Sequence, residues 1–164
     1  MSRLDSVIRR LKAQRACLNF AAEQLAGRAG LILELGLGNG RTYDHLGELF
    51  GREAIYVFDR RVAAHPACIP PHDRLLLGDI RETLPAAAQR LGRRVILAHC
   101  DIGTGVEAEN RRLAAFLAHA LAPLLAPGGL LISDQPIELA DSVALPLPAG
   151  VPAERYFIRR VCAA

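Results

Sequence analysis

Residues Leu31–Thr42 read LILELGLGNGRT. The apolar run Leu31-Ile32-Leu33 is long enough for a buried strand. Glu34 closes it. Gly36, Gly38 and Gly40 then alternate, and Arg41-Thr42-Tyr43-Asp44-His45-Leu46 continues with helical character. Strand, glycine turn and helix is how an open parallel sheet presents a small ligand at its strand ends. Glycine allows a positive φ in such a turn, and without a Cβ it lets a ligand lie against the backbone. The dinucleotide fingerprint is G-x-G-x-x-G, whereas this loop is G-x-G-x-G with an acid two residues upstream. A carboxylate there would repel a phosphate. A glycine-rich structural turn is the plainer alternative.

Outward from this loop, the chain alternates apolar runs with helical patterns. Ser2-Arg3-Leu4-Asp5 fits a capping box. Leu4, Val7, Ile8, Leu11, Leu18, Ala21, Ala22 and Leu25 follow at helical spacing, and Gly27 stops the pattern. This predicts an amphipathic helix with a break near Arg15. It packs on the core, covers a ligand site or forms a dimer surface. The first helix after the glycine loop spans Arg41 to Phe50.

Ala54 to Phe58 is a second strand ending at Asp59, about 20 residues beyond the glycine turn, where an acid can accept from ribose hydroxyls. Arg60 follows, placed to stack on a base or pair with Asp59. Pro66, Pro70 and Pro71 leave room only for a short helix in the next crossover. Leu75-Leu76-Leu77 reads as a third buried strand, followed by Gly78-Asp79-Ile80 and a helix over Arg81–Leu91 with Pro85 in or near its first turn. Val95 to Cys100 is a fourth strand ending at Asp101. Glu107 to Leu125 repeats near period 3.6. Ala126-Pro127-Gly128-Gly129 ends that helix, and Leu130 to Ser133 is a fifth strand ending at Asp134. Val143–Leu145 and Arg155–Arg160 are weaker strands.

Strands alternating with helices predict an α/β doubly wound sheet. Its ligands bind outside the carboxyl ends of the strands. Glu34, Asp59, Asp79, Asp101 and Asp134 all follow apolar runs, so they are expected along one rim. A negative rim suits a cationic ligand and suits phosphates badly. Acids also end strands because they favour turns and N-caps. That accounts for any one of them more readily than for all five.

These residues resemble the class I S-adenosylmethionine (SAM) dependent methyltransferases along nearly the full chain. The matching pieces are Glu34-x-Gly36-x-Gly38-x-Gly40, Asp59, Gly78-Asp79, Asp101 and Pro127-Gly128-Gly129. The strings GLGNGRTYDHL, YVFDR and RYFIRR look like a group of small bacterial single-domain members without an assigned substrate. The resemblance implies a Rossmann-like, mostly parallel seven-stranded sheet, helices on both faces, an antiparallel last strand and SAM as cofactor. It implies that Gly36, Gly38 and Asn39 line the methionine end, with Gly40 permitting tight helix entry. Amides near Arg41 and Thr42 would meet the SAM carboxylate. Asp59 would bind the ribose, Asp79 and Ile80 the adenine, and Asp101 would face the transferred methyl. Asp101 and His99 are the candidate bases. His99 reads more readily as a hydrogen-bonded, partly buried core residue, and Tyr43 and His45 read equally as packing or surface groups.

One departure from the family pattern concerns the tail. The stretch between Asp134 and Arg155 leaves room for no helix, or one turn, where relatives carry a full one. No insertion supplies a substrate cap. The acceptor site is therefore expected to be open, built from residues 1–27, or completed by a second subunit.

Composition sets the remaining expectations. At 164 residues, one SAM-binding domain over 1–164 is expected. The net charge of +3 is small and the arginines are dispersed, so nucleic-acid binding is not indicated. No apolar run is long enough to span a membrane, and the charged N-terminus lacks a signal-peptide core. A cytoplasmic location follows. Cys17, Cys68, Cys100 and Cys162 are scattered, and His65, His72 and His99 share no ligand spacing, so no metal is expected. SAM-dependent methyl transfer to a small molecule, by a homodimer, is the leading reading. The alternatives are a nicotinamide-dependent oxidoreductase and a non-catalytic SAM-binding module.

Overall fold

Side chains alternate across a strand. Leu33 and Leu35 of β1 (Leu31–Leu35) therefore join one buried cluster, while Ile32 joins another on the opposite face. The computed structural model describes residues 2–163; Met1 and Ala164, the two ends of the expected domain, lie outside the described residues. The remaining strands are β2 (Ile55–Asp59), β3 (Leu75–Leu77), β4 (Val95–Cys100), β5 (Leu125–Ser133), β6 (Ser142–Ala144) and β7 (Phe157–Val161). The helices are α1 (Arg3–Gln24), α2 (Arg41–Phe50), α3 (Ile80–Leu91) and α4 (Glu107–Leu121).

The seven strands lie in the order β3-β2-β1-β4-β5-β7-β6. β1 to β5 are parallel, and β7 is antiparallel to both its neighbours. The expected sheet and its reversed last strand are both present. Leu84 and Leu91 of α3 and Leu117 and Leu121 of α4 cover one face. Cys17 and Leu18 of α1 and Tyr43 and Leu46 of α2 cover the other. The order reverses between β1 and β4, which opens a crevice at their carboxyl ends.

Several local expectations are corrected. α1 carries its Ser2 capping box, with the Asp5 amide donating to Ser2 Oγ at 3.0 Å. It does not break near Arg15. Ala13, Gln14, Cys17 and Leu18 are all buried, and no glycine or proline interrupts them. β3 is an edge strand rather than a buried one, with Leu77 52% exposed. The prolines before it leave two single 3₁₀ turns, Pro66–Cys68 and His72–Arg74. Pro85 sits in the second turn of α3.

α4 stops at Leu121, short of Pro123, and β5 begins at Leu125. Pro127-Gly128-Gly129 therefore ends no helix. It bulges from β5, whose register against β4 steps from Val95↔Leu125 to Leu97↔Leu130. No α-helix stands between β5 and β7 among the described residues. None of the four helices is long and apolar enough to cross a membrane.

Entry into α2 depends on Gly40, which caps the helix at φ 83°. A Cβ there would lie 2.5 Å from Cys68 Cβ and 3.1 Å from the Cys68 carbonyl oxygen. Gly40→Ala therefore combines left-handed backbone strain with a collision. It is expected to lower unfolding stability by about 2–4 kcal/mol in urea titration. A loss below about 0.5 kcal/mol would show that the loop simply relaxes.

Candidate functional site

The crevice is built by the loop after β1. Gly36 follows the strand, and its amide donates to the Phe58 carbonyl at 2.8 Å. Its φ is 99°, and a Cβ would stand 2.9 Å from the Asp101 carbonyl oxygen and 2.5 Å from Ile102 Cγ2. Only glycine lets the loop pass between the ends of β2 and β4. Leu37 and Gly38 then turn their amides onto Asp59 Oδ2, at 2.8 and 3.1 Å. Asp59 Oδ1 accepts from the Arg61 amide at 3.2 Å. The end of β2 thus holds the glycine loop in place.

Over this frame lies a cleft of about 280 Å³. Gly36, Gly38, Asp59, Arg60, Gly78, Ile80 and Asp101 all line it, as expected from the sequence. Phe58, Ile102 and Leu113 give it further apolar walls, and Gly103 and Thr104 close one end. Asp79 stands beside the cleft. It N-caps α3 by accepting from the Arg81 amide at 2.9 Å, and it lies 3.8 Å from Arg60.

A second cleft of about 170 Å³ shares Gly36, Gly38 and Asp101 with the first. Asn39 and Thr42 line it from the loop and α2; Arg10, Leu11 and Gln14 line it from α1. Gln14 was not anticipated, and it proves central. It is only 4% exposed, and its Nε2 donates to Asp101 Oδ2 at 2.5 Å. Arg10 lies 3.6 Å from the same oxygen. A signal existed: Gln14 is the polar member of the apolar stripe Leu11, Gln14, Leu18, Ala21. Opposite, Asp134 accepts from the Gly103 amide at 3.0 Å. Burial, aided by the nearby Asp101 carboxylate, raises the Asp134 carboxyl above its ordinary pKa.

Glu34 and His99 lie beneath the clefts, both with no exposure. The expected rim of five carboxylates thus loses Glu34, because strand alternation aims its side chain under α2. Glu34 Oε1 accepts from the Thr42 hydroxyl, and Oε2 meets His99 Nδ1 at 2.7 Å. His99 Nε2 and the Tyr156 hydroxyl are buried without partners, and the two rings stack at 6.4 Å between centroids. Tyr43 is buried in the core, and His45 Nε2 meets Asn19 Oδ1 at 2.7 Å.

Burial disfavours the charged imidazolium of His99, but Glu34, with Asp101 and Asp134 beyond it, more than offsets this and raises the pKa. The sign of the linkage follows. A histidine whose folded pKa lies above its unfolded value adds stability that is full below ~6.5 and is lost as pH rises through the folded pKa. The melting temperature of the wild type, referred to that of His99→Gln, is expected to fall as pH rises from 6 to 9. Referring to the variant largely removes Asp134, which acts in the same direction from lower pH. A difference that grows with pH would mean that His99 is held neutral.

The geometry suits SAM. The cleft has apolar walls of the kind a planar base needs, a carboxylate in Asp59 of the kind a diol needs, and at Gly36 a path that a Cβ would close. Known proteins agree. Residues 1–161 match the family described as S-adenosyl-L-methionine methyltransferase. The crystal structure of an S-adenosyl-L-methionine methyl transferase from Silicibacter pomeroyi DSS-3 superimposes with a TM-score of 0.89 at 48% identity, covering 98% of each chain. The N-methyltransferase NodS of Bradyrhizobium japonicum WM9 gives 0.56 at 14% identity, covering 92% of this chain and 97% of its own. CalS11, a TDP-rhamnose 3′-O-methyltransferase, gives 0.60 at 19%, covering 89% and 78%. These last two share the fold. No protein of curated function matches the chain. The family match favours neither the nicotinamide oxidoreductase nor the non-catalytic module. With its glycine loop, the acid that ends β2 and its reversed last strand accounted for, the chain belongs to the SAM-dependent methyltransferases.

Proposed function

We propose that this enzyme methylates a small-molecule acceptor that approaches Asp101 from the side of α1. The observation that carries this reading is the position of Asp101. It lines both the larger cleft and the smaller one under α1, and Gln14 holds it there.

Bound SAM supplies an electrophilic methyl group on a sulfonium. The chain's own residues have three tasks. The first is to hold the cofactor. Asp59 accepts from the ribose hydroxyls, while Ile80 and Phe58 enclose the base, with Asp79 and Arg60 at its edge. Gly78 keeps that entrance free of a side chain. Gly36, Gly38 and Asn39 follow the methionine portion. The opening amides of α2, at Arg41 and Thr42, have no intrahelical acceptor, and Gly40 offers no side-chain cap. The positive end of the helix dipole thus favours a carboxylate there.

The second task is alignment of the acceptor with the methyl group, which supplies as much as ~7–11 kcal/mol in favourable systems. The third is to take a proton where the acceptor carries one. Asp101 is the candidate that lines both clefts, and a base in reach typically adds ~10²–10⁴-fold. His99 acts from below as a positioning residue: it fixes Glu34, and Glu34 fixes Thr42.

In this reading residues 1–164 form one SAM-binding domain, and α1 roofs the acceptor side. A cytoplasmic location is part of the same reading. Among the described residues no α-helix stands between β5 and β7, so α1 is left to cover the acceptor side without help from the C-terminal part, and this supports a homodimer.

Calorimetric titration tests the cofactor roles. SAM and S-adenosylhomocysteine (SAH) are expected to bind the wild type at micromolar Kd. Asp59→Ala removes charge-assisted hydrogen bonds worth ~1.5–3 kcal/mol, so its affinity should fall about 10- to 100-fold. Asp59→Asn, which can still accept from the Leu37 and Gly38 amides, separates loop support from ribose binding. Unchanged affinity in both variants would remove Asp59 from the site.

A further inference from the structure

α1 carries Arg9, Arg10, Lys12 and Arg15 within two turns. Arg10 is engaged with Asp101 at 3.6 Å, and Arg41 of α2 donates to Asn39 Oδ1 at 2.9 Å. Lys12 and Arg15 are different. Among the described residues neither has a hydrogen-bond or ion-pair partner. They stand three residues apart, and like charges at that spacing repel on a helix surface.

Both line a groove of about 370 Å³ between α1 and α2. Ile8, Leu11 and Leu18 make its apolar floor. No carboxylate lines it; Glu48, which lies 3.8 Å from the lining residue His45, is the acid beside it. Leu11, Gln14, Arg41 and Thr42 are shared with the smaller cleft that reaches Asp101, so groove and cleft are continuous. At the junction, Gln14 Oε1 is buried with no partner at hydrogen-bond distance, and the equally unpartnered Tyr156 hydroxyl lies beside the Gln14 side chain. Such a carbonyl calls for a donor.

We propose that the groove between α1 and α2 binds an anionic acceptor. Its apolar body lies on Ile8, Leu11 and Leu18, and its acidic group lies between Lys12 and Arg15. Its hydroxyl, amine or thiol donates to Gln14 Oε1 beside Asp101. Three observations meet in this assignment. The two cations have no counter-charge on the protein, the floor beneath them is apolar, and the buried end of the groove offers an acceptor atom next to the carboxylate. The acidic group is a carboxylate or a phosphate, and both satisfy the same cations. A nucleic acid would use Lys12 and Arg15 alone and leave the buried end without a role.

This inference rests on Asp101 marking the acceptor side, so the test reads cofactor and groove separately. Four phenols serve as probes: 4-hydroxybenzoate, 4-hydroxyphenyl phosphate, the neutral 4-hydroxybenzamide and the cationic tyramine. Each is titrated into the protein with and without SAH, by calorimetry and by chemical-shift mapping. At least one anionic probe should bind ten times more tightly than the amide, and tyramine should bind least. Lys12→Gln with Arg15→Gln should remove that tenfold preference and leave SAH affinity within twofold.

The two side chains are exposed, so the double variant should melt within a few degrees of the wild type. Equal binding of all four probes, no binding of any, or a preference that survives the double variant would overturn the assignment. So would tight, salt-sensitive binding of a short RNA that depends on Lys12 and Arg15 and displaces the probes. Failure of SAH to bind counts against the cofactor reading alone, because the probe preference is still read in its absence.

Discussion

The buried carboxylate of Glu34 is the tie on which the site depends. It belongs to β1, takes the Thr42 hydroxyl from α2 with one oxygen and meets His99 of β4 with the other. β1 and β4 are the two strands between which the sheet reverses order, and α2 is the helix whose first amides face the crevice. One side chain therefore fixes three elements at the point where the ligand must sit. A buried ion pair is weak support for stability in itself, since desolvation opposes it. Removing one partner nonetheless leaves an uncompensated charge, at a cost of about 3–5 kcal/mol. Glu34 is thus better understood as setting the register between loop, helix and strand than as adding to the core.

Above that tie the glycine loop closes against Asp59. The acid both supports the loop, through the Leu37 and Gly38 amides, and faces the cleft. Support by that carboxylate explains why the turn can be rich in glycine and still hold a shape. The loop needs positive φ at Gly36 and Gly40, residues that carry no side chain to anchor it, so the anchor must come from a neighbouring strand.

The lining of the larger cleft was legible in the sequence because it depends on local order: strand, glycine turn, then an acid at the end of the next strand. Gly36, Gly38, Asp59, Arg60, Gly78, Ile80 and Asp101 needed only that pattern to be placed together. What escaped depends on direction or on distance along the chain. Glu34 was expected on the rim because it ends an apolar run. Its aim under α2 follows from strand alternation, and its partner His99 from a register of β1 against β4 that no local pattern encodes. Gln14 escaped for a related reason. Its place in the apolar stripe of α1 marks it as buried, but only the packing of α1 over the sheet shows that it reaches Asp101. The Pro-Gly-Gly step was misplaced because proline and glycine signal an interruption without saying whether a helix or a strand is interrupted.

The shortened tail gives α1 its importance. Among the described residues no α-helix stands between β5 and β7, and what the C-terminal part brings to the neighbourhood of Asp101 and Gln14 is the buried Tyr156. The structure covers that side from the N-terminus instead, with Arg10, Leu11 and Gln14. This division separates two electrostatic tasks. The cleft for the sulfonium cofactor carries the carboxylates Asp59 and Asp101, with Asp134 behind them. The groove on α1 carries Lys12 and Arg15. A cationic cofactor and an acceptor of the opposite charge are then drawn to different ends of one continuous channel. Asp101, whose Oδ2 meets both Gln14 and Arg10 of α1, stands where the two ends meet.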